Sequence, residues 1–596
     1  MGVKDLLSPF MAWKKVVSDP VTITDPFSRE AAPRYRGFHK NEITTCIGCG
    51  TCEEICMNNA IDMVPVDGIE TKDGDSGLRP KVDYGRCCWC ALCVDVCTTS
   101  SLTMSNKFRW VERDADNFRF VIGAEDKYWD NAELGYTRDP DYTLNRPDRT
   151  HMGELTPEER SDSFIEMIKG FSKEEARREA DRCIECGLCV ATCPAHMGIP
   201  QYIKAIREDD MKEGLRILYE TNPLPEICGR VCTHKCESVC AMNHKGDPIS
   251  IRWLKRYIAD QIPEERYAEI LGGEVDDKSN KTVGIIGAGP SGLSAAYYLA
   301  RMGHGVTVYE ALDNAGGMTR YGIPEYRLPY DQIDKDVAYI RSLGVEFKFN
   351  TRIGEQITLE ALHEKHDAVF AGTGLHLGRS TRVENVDHPM VFMAVDLLRL
   401  FTMGKPIHVG KKILVIGGGN VAMDITRTLA RLQNQKYGEV DVTTTCLETE
   451  ETMPADCEEI YEARGENAVI KPGWGPKKIE LDGDAIKGLH AVKCLAIFDE
   501  NRNFNPRFDE NEKFFFPADM IVEAIGQGMD LSWTGSLKET INFTQRGRIE
   551  VDETFQSSLP WLFVGGDIIQ GPDVIHGIAN GQKAAKAIDN YMRTLP

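Results

Sequence analysis

The sequence lacks the features that would take a protein to a membrane or to a nucleic acid. It has no run of about 18 apolar residues, so no bilayer-spanning helix is expected. Its 70 lysines and arginines do not balance 92 aspartates and glutamates, and the net charge is −22. That excess of acid disfavours nucleic acid and anionic membranes as partners. The N-terminus has no continuous apolar core, so we expect no secretory signal and a cytoplasmic protein.

The chain is also too long to be a small disulfide-rich domain. Its 596 residues suffice for three or four domains at about 150 residues each, whereas disulfide-dense chains are short and secreted. Its 20 cysteines therefore favour metal binding. Sixteen of them form four groups: Cys46, Cys49, Cys52 and Cys56; Cys87, Cys90, Cys93 and Cys97; Cys183, Cys186, Cys189 and Cys193; and Cys228, Cys232, Cys236 and Cys240.

The first three groups share the C-x2-C-x2-C-x3-C spacing of bacterial ferredoxins. In that pattern three cysteines hold one 4Fe–4S cluster and the fourth ligates the other cluster. The two expected sets are Cys46, Cys49, Cys52 and Cys97, and Cys87, Cys90, Cys93 and Cys56. Zinc is the alternative, but zinc sites usually combine two C-x2-C pairs. Thr98 replaces the usual proline after the second group. Cys88 is an extra thiol beside Cys87, but the spacing assigns the ligand position to Cys87.

Beyond Lys281 the chain contains two glycine turns that follow apolar runs. Gly287, Gly289 and Gly292 form G-x-G-x-x-G after VGII, and Glu310 lies 18 residues further on. This arrangement predicts a dinucleotide site, with the pyrophosphate at a helix N-terminus and the acid on a ribose. A glycine turn that serves packing alone is the alternative. A second unit, ILVIGGGNVAMD, carries G-x-G-x-x-A at Gly417, Gly419 and Ala422.

Two families share longer stretches with this chain. RYRGFHKNEITTCIGCGTC resembles the two-cluster ferredoxin-like subunit of respiratory NADH dehydrogenase, over roughly residues 15–106. From about residue 150 the chain is similar to the glutamate synthase small subunit. It is also similar to the large subunit of NADH-dependent ferredoxin:NADP oxidoreductase and to the N-terminal half of dihydropyrimidine dehydrogenase. The shared motifs are GFSKEEARREADRCIECGLCVATCP, PEICGRVCTHKCESVC, VGIIGAGPSGLSAA, AGGMTRYGIPEYRLP, VIGGGNVAMD and VGGDIIQGP.

These resemblances imply a multidomain α/β protein. They imply a bacterial ferredoxin-like α+β domain, an α-helical iron–sulfur domain, and two Rossmann-like domains of glutathione reductase type. The NAD(P) domain is expected to be inserted in the FAD domain, with crossings at Gly372–Gly374 and Ala524–Gln527. The predicted boundaries are 1–35 lead-in helix, 36–106 two-cluster ferredoxin domain, 107–150 linker, 151–280 helical iron–sulfur domain, 281–375 first FAD part, 376–522 NAD(P) domain and 523–596 second FAD part.

The resemblance also assigns cofactor-binding residues. FAD is expected at Gly287, Ala288, Gly289, Pro290, Ser291, Gly292, Glu310, Gly316, Gly317, Met318, Thr373, Gly374, Gly566 and Asp567. The nicotinamide dinucleotide is expected at Gly417, Gly418, Gly419, Asn420, Val421, Glu448 and Gly526. NADP-using relatives have a Tyr-Arg-Arg-like segment where this chain has Cys446, Leu447 and Glu448. An acid repels the 2′-phosphate and favours NAD(H), unless Glu448 is a solvated surface acid.

The pattern of those relatives also implies ligands for the helical domain. Cys183, Cys186, Cys189 and Cys240 would hold one cluster, and Cys193, Cys232 and Cys236 would give three ligands to the other. The fourth ligand in relatives is often Gln or Glu. Here Lys255 lies near that position, and a protonated lysine cannot ligate iron. Either Cys228 is the fourth ligand or the register differs. Cys446, Cys457 and Cys494 form no C-x4-C pair, so a disulfide-reductase mechanism is not expected.

The sequence thus predicts an oxidoreductase with FAD and four 4Fe–4S clusters. It would exchange electrons between NAD(P)H, with NADH favoured, and ferredoxin or a catalytic partner subunit such as a 2-oxoacid oxidoreductase. A hetero-oligomer is expected. No catalytic side chain is expected, because hydride passes directly between the nicotinamide and the flavin. The alternatives are an electron-bifurcating flavoprotein subunit of a transhydrogenase-type complex, and a structural relay subunit with a degenerate flavin site.

Overall fold

The computed structural model describes residues 10, 13–19, 29–138, 146–275, 277–569, 571 and 573–595. The chain divides into two compact units, each described by itself below. The first comprises Met1–Asp148 and Val239–Asp247, and the second comprises Arg149–Ser238 and Pro248–Pro596. The lead-in helix predicted over 1–35 lies mostly outside the described residues. No helix in the described ranges is long and apolar enough to cross a membrane.

From residue 29 onward, the described part of the first unit contains two small antiparallel sheets, two short α-helices and the 3-10 helix Ala115–Phe118. Its elements are β1 (His39–Asn41), α1 (Thr51–Glu54), β2 (Ile61–Pro65), β3 (Leu78–Asp83), α2 (Leu92–Asp95), β4 (Leu102–Met104) and β5 (Arg119–Val121). β1 pairs with β4, and β3 lies between β2 and β5. Each helix lies inside one cysteine group and starts after a residue in the left-handed region, Gly50 or Ala91.

The segment predicted as a linker supplies part of the core of the first unit. It carries the edge strand β5 and the indole of Trp129, which is 1% exposed. The Trp129 ring stacks on Phe38 with centroids 4.3 Å apart, and its Nε1 donates to the His39 carbonyl at 3.1 Å. Residues beyond 106 therefore complete the apolar core under the cysteine groups.

The second unit begins with a helical region. Its elements are β6 (Gly153–Glu154), α3 (Pro157–Ser161), β7 (Ile168–Gly170), α4 (Lys173–Ala180), α5 (Leu188–Thr192), α6 (Ile199–Arg207), α7 (Met211–Thr221), α8 (Pro225–Val231), α9 (Lys235–Ser238), α10 (Ile251–Asp260) and α11 (Tyr267–Leu271). Capping boxes at Thr156–Glu159 and Ser172–Glu175 start α3 and α4. The backbones of α8 and α10 nearly touch, since a Cβ on Gly229 would lie 2.9 Å from the Arg256 Cα.

Two five-stranded parallel sheets follow. The first has the order β10-β9-β8-β11-β22 and the second the order β13-β20-β14-β15-β16. The elements are β8 (Thr282–Ile286), α12 (Pro290–Arg301), β9 (Gly305–Tyr309), α13 (Met318–Tyr321), α14 (Tyr330–Ser342), β10 (Glu346–Lys348), α15 (Leu359–His363), β11 (Ala368–Ala371), β12 (Leu377–Gly378), β13 (Val391–Met393), α16 (Ala394–Thr402), β14 (Ile413–Ile416), α17 (Asn420–Tyr437), β15 (Val442–Thr445), α18 (Cys457–Gly465), β16 (Val469–Ile470), β17 (Trp474–Asp482), β18 (Ala485–Phe498), β19 (Phe504–Pro517), β20 (Met520–Glu523), β21 (Gln527–Gly528), β22 (Leu562–Val564) and α19 (Val574–Thr594).

The chain leaves the first parallel sheet after β11 and returns to it at β22, so the second sheet is inserted in the first. β12 and β21 pair antiparallel at the crossing. The antiparallel sheet β17-β18-β19 covers one face of the second parallel sheet, and α16, α17 and α18 cover the other. The multidomain α/β fold expected from the sequence is confirmed.

The topology places both glycine turns at sheet positions that bind ligands. β8 has β9 on one side and β11 on the other, and β14 has β15 and β20 in the same arrangement. Each glycine turn follows the carboxyl end of one of these strands. In open parallel sheets this point, where neighbouring connections diverge, forms a crevice.

Candidate functional site

A cavity of about 340 Å³ opens where the first glycine turn meets α17 and the helical region. The volume lies in the range of small-molecule and cofactor sites. The predicted FAD residues that line it are Gly287, Gly289, Pro290, Ser291, Glu310, Gly317, Met318, Thr373, Gly374, Gly566 and Asp567. Asn420 and Val421 of the second motif also line it. The wall does not include the predicted residues Ala288, Gly292, Gly316, Gly417, Gly418, Gly419, Glu448 and Gly526.

The first glycine turn leaves open space at the start of α12. Gly287 has φ +95°, and a Cβ on it would lie 2.7 Å from the Gly372 carbonyl oxygen. A Cβ on Gly289 would meet nothing closer than 3.9 Å. The N-terminus of α12, which starts at Pro290, therefore borders the cavity with room beside it. A helix N-terminus in this setting favours a phosphate group.

Glu310 secures the first glycine turn from the end of β9. Its Oε2 accepts from the Ala288 N–H at 2.7 Å and its Oε1 from the Leu312 N–H at 2.9 Å. Burial raises the pKa of this carboxyl, while the two backbone donors favour its charged form. The acid predicted to bind a ribose thus lines the cavity and also holds the turn.

Buried polar atoms without partners mark the cavity as a nucleotide site. Among the described residues, the Ser291 Oγ, the Thr373 Oγ1 and the Trp533 Nε1 are buried, form no hydrogen bond and belong to residues of the cavity wall. Buried polar groups are nearly always paired, so these three atoms are available to a polar ligand in the cavity. Together with the open α12 N-terminus they fit FAD. No motif in the sequence identifies Trp533.

Two titratable residues of the wall have shifted pKa values. Burial, reinforced by Asp573, raises the pKa of Asp567 to about 6. Burial, reinforced by Arg399, lowers the pKa of His376, which holds its imidazole neutral. Sequence reasoning missed His376, Arg399 and Asp573, although His376 lies two residues beyond the predicted Gly374.

The helical region contributes Val231 and Thr233 to the cavity wall. These residues flank Cys232, which is the C-terminal cap of α8. The Thr233 Oγ1 donates to the Asp573 Oδ2 at 3.4 Å, and Asp573 in turn caps α19. A predicted cluster ligand therefore lies one peptide unit from the cavity.

The second glycine turn repeats the arrangement of the first. A Cβ on Gly418 would lie 2.9 Å from the Glu448 Oε2, so Glu448 points at its turn as Glu310 points at Ala288. Asn420, at the start of α17, donates to Asp456 at 3.1 Å and accepts from its N–H at 2.8 Å. Burial, reinforced by Glu448, raises the pKa of Cys446 to about 12, which keeps this thiol protonated.

The thiols of the first unit interact in two sets. Cys46 and Cys52 interact electrostatically with Cys49 and Cys97, whereas Cys87 and Cys93 interact with Cys56 and Cys90. Cys52 and Cys93 also lie within electrostatic range of each other. The structure thus brings together the two crossed sets that the spacing predicts. Backbone groups also donate to the sulfurs. The Ala60 N–H donates to the Cys56 Sγ at 3.3 Å, and the Leu102 N–H donates to the Cys97 Sγ at 3.5 Å.

In the second unit, Cys228 joins the thiols of the predicted fourth cluster. A hydrogen bond from Cys228, with Lys255 beside it, lowers the pKa of Cys232 to about 5. Cys193 and Cys236 interact with the same Lys255 and with Cys232. Cys183 and Cys186 precede α5, Cys189 lies on it, and Cys240 belongs to the segment assigned to the first unit.

The donor chemistry of these sets fits 4Fe–4S clusters rather than a single ion. Four soft thiolates are the usual ligands of such a cluster. No three His, Cys, Asp or Glu side chains of the described ranges converge on one metal-ion position. Ligands of a 4Fe–4S cluster each bind a different iron, so they need not converge in that way.

Three family models match this chain. A 4Fe–4S dicluster domain matches residues 45–101, the 4Fe–4S domain II of dihydropyrimidine dehydrogenase matches 160–267, and pyridine nucleotide-disulphide oxidoreductase matches 281–586. The iron–sulfur regions and the flavin and NAD(P)-binding fold predicted from the sequence are therefore confirmed.

Curated relatives include enzymes of both nicotinamide specificities. The glutamate synthase (NADPH) small chain of Escherichia coli (strain K12) is 33% identical over 72% of this chain and 94% of its own length. The NAD-dependent dihydropyrimidine dehydrogenase subunit PreT of Escherichia coli O157:H7 is 32% identical over 75% of this chain and 98% of its own length.

The NADP(+)-dependent formate dehydrogenase subunit beta of Moorella thermoacetica is 37% identical over 68% of this chain. The match spans 60% of that relative's length. With an oxidoreductase model over half of its length and the cavity described above, the chain belongs to the pyridine nucleotide-disulphide oxidoreductase family, within the flavin- and iron–sulfur-containing oxidoreductases that include the glutamate synthase small chain.

Proposed function

We propose that this chain is the nicotinamide-oxidising subunit of a larger complex. It passes electrons from NADH, by way of FAD and four 4Fe–4S clusters, to ferredoxin or a catalytic partner subunit. One observation carries the proposal: the residues that flank Cys232 and the first glycine turn line the same cavity. A cofactor on the glycine turn would therefore adjoin a cluster ligand, as electron transfer requires.

The side chains of the wall have positioning roles. FAD, when bound, takes two electrons from a nicotinamide and releases them singly. Glu310 keeps the first turn open at Gly289, and the α12 N-terminus binds the pyrophosphate. The buried Ser291 and Thr373 hydroxyls and the Trp533 N–H complete the polar contacts. Val231 excludes water on the side towards Cys232. No side chain acts as a nucleophile in this scheme.

The position of Glu448 supports NADH as the donor. Its carboxylate faces the second glycine turn at Gly418, in the place where Glu310 serves the first turn. A carboxylate there accepts from a ribose 2′-hydroxyl and repels a 2′-phosphate. The printed names of the relatives cover both NADPH and NAD, so the choice for this chain rests on Glu448.

The thiol geometry supports a four-cysteine set at the cluster nearest the cavity. Cys228 is fully buried and hydrogen-bonds Cys232. We assign Cys193, Cys228, Cys232 and Cys236 to this cluster. Cys183, Cys186, Cys189 and Cys240 then remain for the other cluster of the helical region. With the two crossed sets of the first unit, the count is four clusters.

Partner subunits are inferred from the relatives. The matched proteins from Moorella and Escherichia are named as a beta subunit, a small chain and a subunit. We therefore propose a hetero-oligomer in which another chain supplies the final donor or acceptor.

Anaerobic titration of the purified protein tests the proposal. We expect bound FAD, about sixteen irons per chain for four clusters, and bleaching of the flavin by NADH faster than by NADPH at equal concentration. Reduction of the cluster signals should follow in the same sample, and mass spectrometry of co-eluting chains identifies the partner. Absence of flavin from iron-loaded protein would contradict the proposal. Faster reduction by NADPH would show that Glu448 does not select NADH.

A further inference from the structure

Lys255 is a buried cation surrounded by thiols. It lies on α10 and is 4% exposed. The thiols that act on it belong to Cys232, Cys228, Cys236 and Cys193. A lysine is almost never this buried unless an anion balances it.

The other basic residues of the same helical turn have carboxylate partners. The Arg252 guanidinium pairs with Glu458 at 2.7 Å. The Arg256 guanidinium pairs with Asp260 and with Glu166, each at 3.0 Å. Within the described ranges no carboxylate forms an ion pair with Lys255. Its charge is therefore available to the thiols alone.

The packing of two helices fixes this placement. α8 carries Cys228 and ends at its cap, Cys232. Gly229 lies between Cys228 and Cys232 in the sequence. Because it has no side chain, the backbone of α10 comes within van der Waals contact of it at Arg256. Lys255 is the preceding residue of α10, and the four thiols are the groups that act on its charge. A larger residue at Gly229 would push α10, and Lys255 with it, away from Cys228.

We propose that Lys255 is the fixed counter-cation of the cluster assigned to Cys193, Cys228, Cys232 and Cys236, and that it raises the reduction potential of that cluster. A cluster with four thiolate ligands is already anionic, and each added electron increases the negative charge. A buried cation stabilises the reduced form more than the oxidised form. Electrons leaving the cavity would then collect first at this cluster. The inference rests on the proposed function, because it presumes a cluster at these cysteines.

Lysine-255 variants in the full-length, cluster-loaded protein test this role. Lys255→Met and Lys255→Gln remove the charge, and Lys255→Arg keeps it. Lys204→Met removes a lysine charge from the exposed surface of α6 in the same region and serves as the matched control. The measurements are iron content and the midpoint potential of each cluster, from a potentiometric titration followed by electron paramagnetic resonance.

We expect one cluster to shift to a lower potential in both neutral variants, with the other potentials unchanged. Lys255→Arg should stay close to the unaltered protein, and Lys204→Met should match it. Full iron with all native potentials in Lys255→Met or Lys255→Gln would overturn the proposal. Loss of iron in both neutral variants, but not in Lys255→Arg, would support the proposal, because the cluster would then require the positive charge at residue 255. If the unaltered protein holds no cluster at these cysteines, the proposed function itself fails.

Discussion

At the residue scale, two glutamates stand in matching positions at the two glycine turns. Glu310 accepts from the Ala288 N–H of the first turn at 2.7 Å, and the Glu448 carboxylate reaches Gly418 in the second. Each follows the strand that pairs with its glycine-turn strand, β9 beside β8 and β15 beside β14. We therefore propose that each acid contacts a ribose in its own domain.

Removal of the Glu448 carboxylate should weaken discrimination between the two nicotinamides. Glu448→Gln loses a charged acceptor, which is worth about 1.5–3 kcal/mol, so the preference for NADH over NADPH should fall at least about tenfold. The ratio of flavin reduction rates with NADH and NADPH measures this effect. Glu450→Gln, an exposed acid nearby that pairs with Arg464, is the control. An unchanged ratio in Glu448→Gln would show that Glu448 is a solvated surface acid.

Gly287 should be required for FAD binding. Gly287→Ala adds a Cβ only 2.7 Å from the Gly372 carbonyl oxygen, in a backbone with φ +95°. Gly438→Ala has a similar left-handed φ of +74° but meets nothing within 4 Å. We expect Gly287→Ala to lose most of its FAD and Gly438→Ala to keep it, measured as flavin per chain after purification. Equal flavin content would contradict the assignment of the cavity.

Asp567 should make the stability of the flavin-free protein depend on pH. Its pKa of about 6 in the folded state exceeds that of an unfolded aspartate, about 3.9. The stability linked to its protonation is present below about pH 4 and is lost as pH rises through about 6. Asp573, Arg548 and His576 are the charged groups that act on it.

Asp567→Asn stays neutral at every pH and avoids that loss. The variant should unfold at a higher temperature than the parent protein at pH 8, and the two should converge near pH 4. Thermal melts of both flavin-free proteins between pH 4 and pH 8 measure the difference. Parallel melting curves over the whole range would show that Asp567 does not carry the buried charge.

At the scale of elements, the sequence was sufficient to predict the features whose chemistry depends on residue spacing. The cysteine spacings predicted the crossed sets that the structure brings together around Cys97 and Cys56. The glycine turns predicted the strand–turn–helix units that open at β8 and β14. Both features depend on local backbone geometry, which residue types and offsets largely determine.

Contacts between distant segments could not be predicted in the same way. Nothing in the spacing showed that Val231 and Thr233 would line the cavity of the first glycine turn, or that Trp533 would add an unpaired N–H. Trp129 likewise joins the core of the first unit from a segment with the composition of a linker. These contacts depend on tertiary packing between elements far apart in sequence.

The α8–α10 contact also settles which alternative we propose for the fourth ligand. Cys228 lies beside Cys232, and Lys255 faces both as a cation. Cys228→Ala should therefore lose one cluster, about a quarter of the iron. Cys88→Ala removes an exposed thiol and should retain all iron, because Cys87 occupies the ligand position. Full iron in Cys228→Ala would show that another residue completes the cluster.

At the scale of the whole molecule, we propose an oxidoreductase in which electrons from the nicotinamide enter at one cavity. The inserted second domain brings Asn420 and Val421 to the cavity of the first sheet, and the helical region brings Val231 and Thr233 to the same cavity. Residues of both dinucleotide motifs and the two neighbours of Cys232 therefore line a single cavity. We therefore propose that electrons from a nicotinamide leave the cavity past Cys232.

The most direct test of this claim is rapid mixing of NADH with a Cys232→Ser variant under anaerobic conditions. The variant keeps the glycine turns and the cavity wall, so we expect NADH to bleach its flavin at the rate of the unaltered protein. The cluster signals of the variant should then stay oxidised while those of the unaltered protein are reduced. Reduction of its clusters at an unchanged rate would contradict the account, because electrons would leave the cavity by another route.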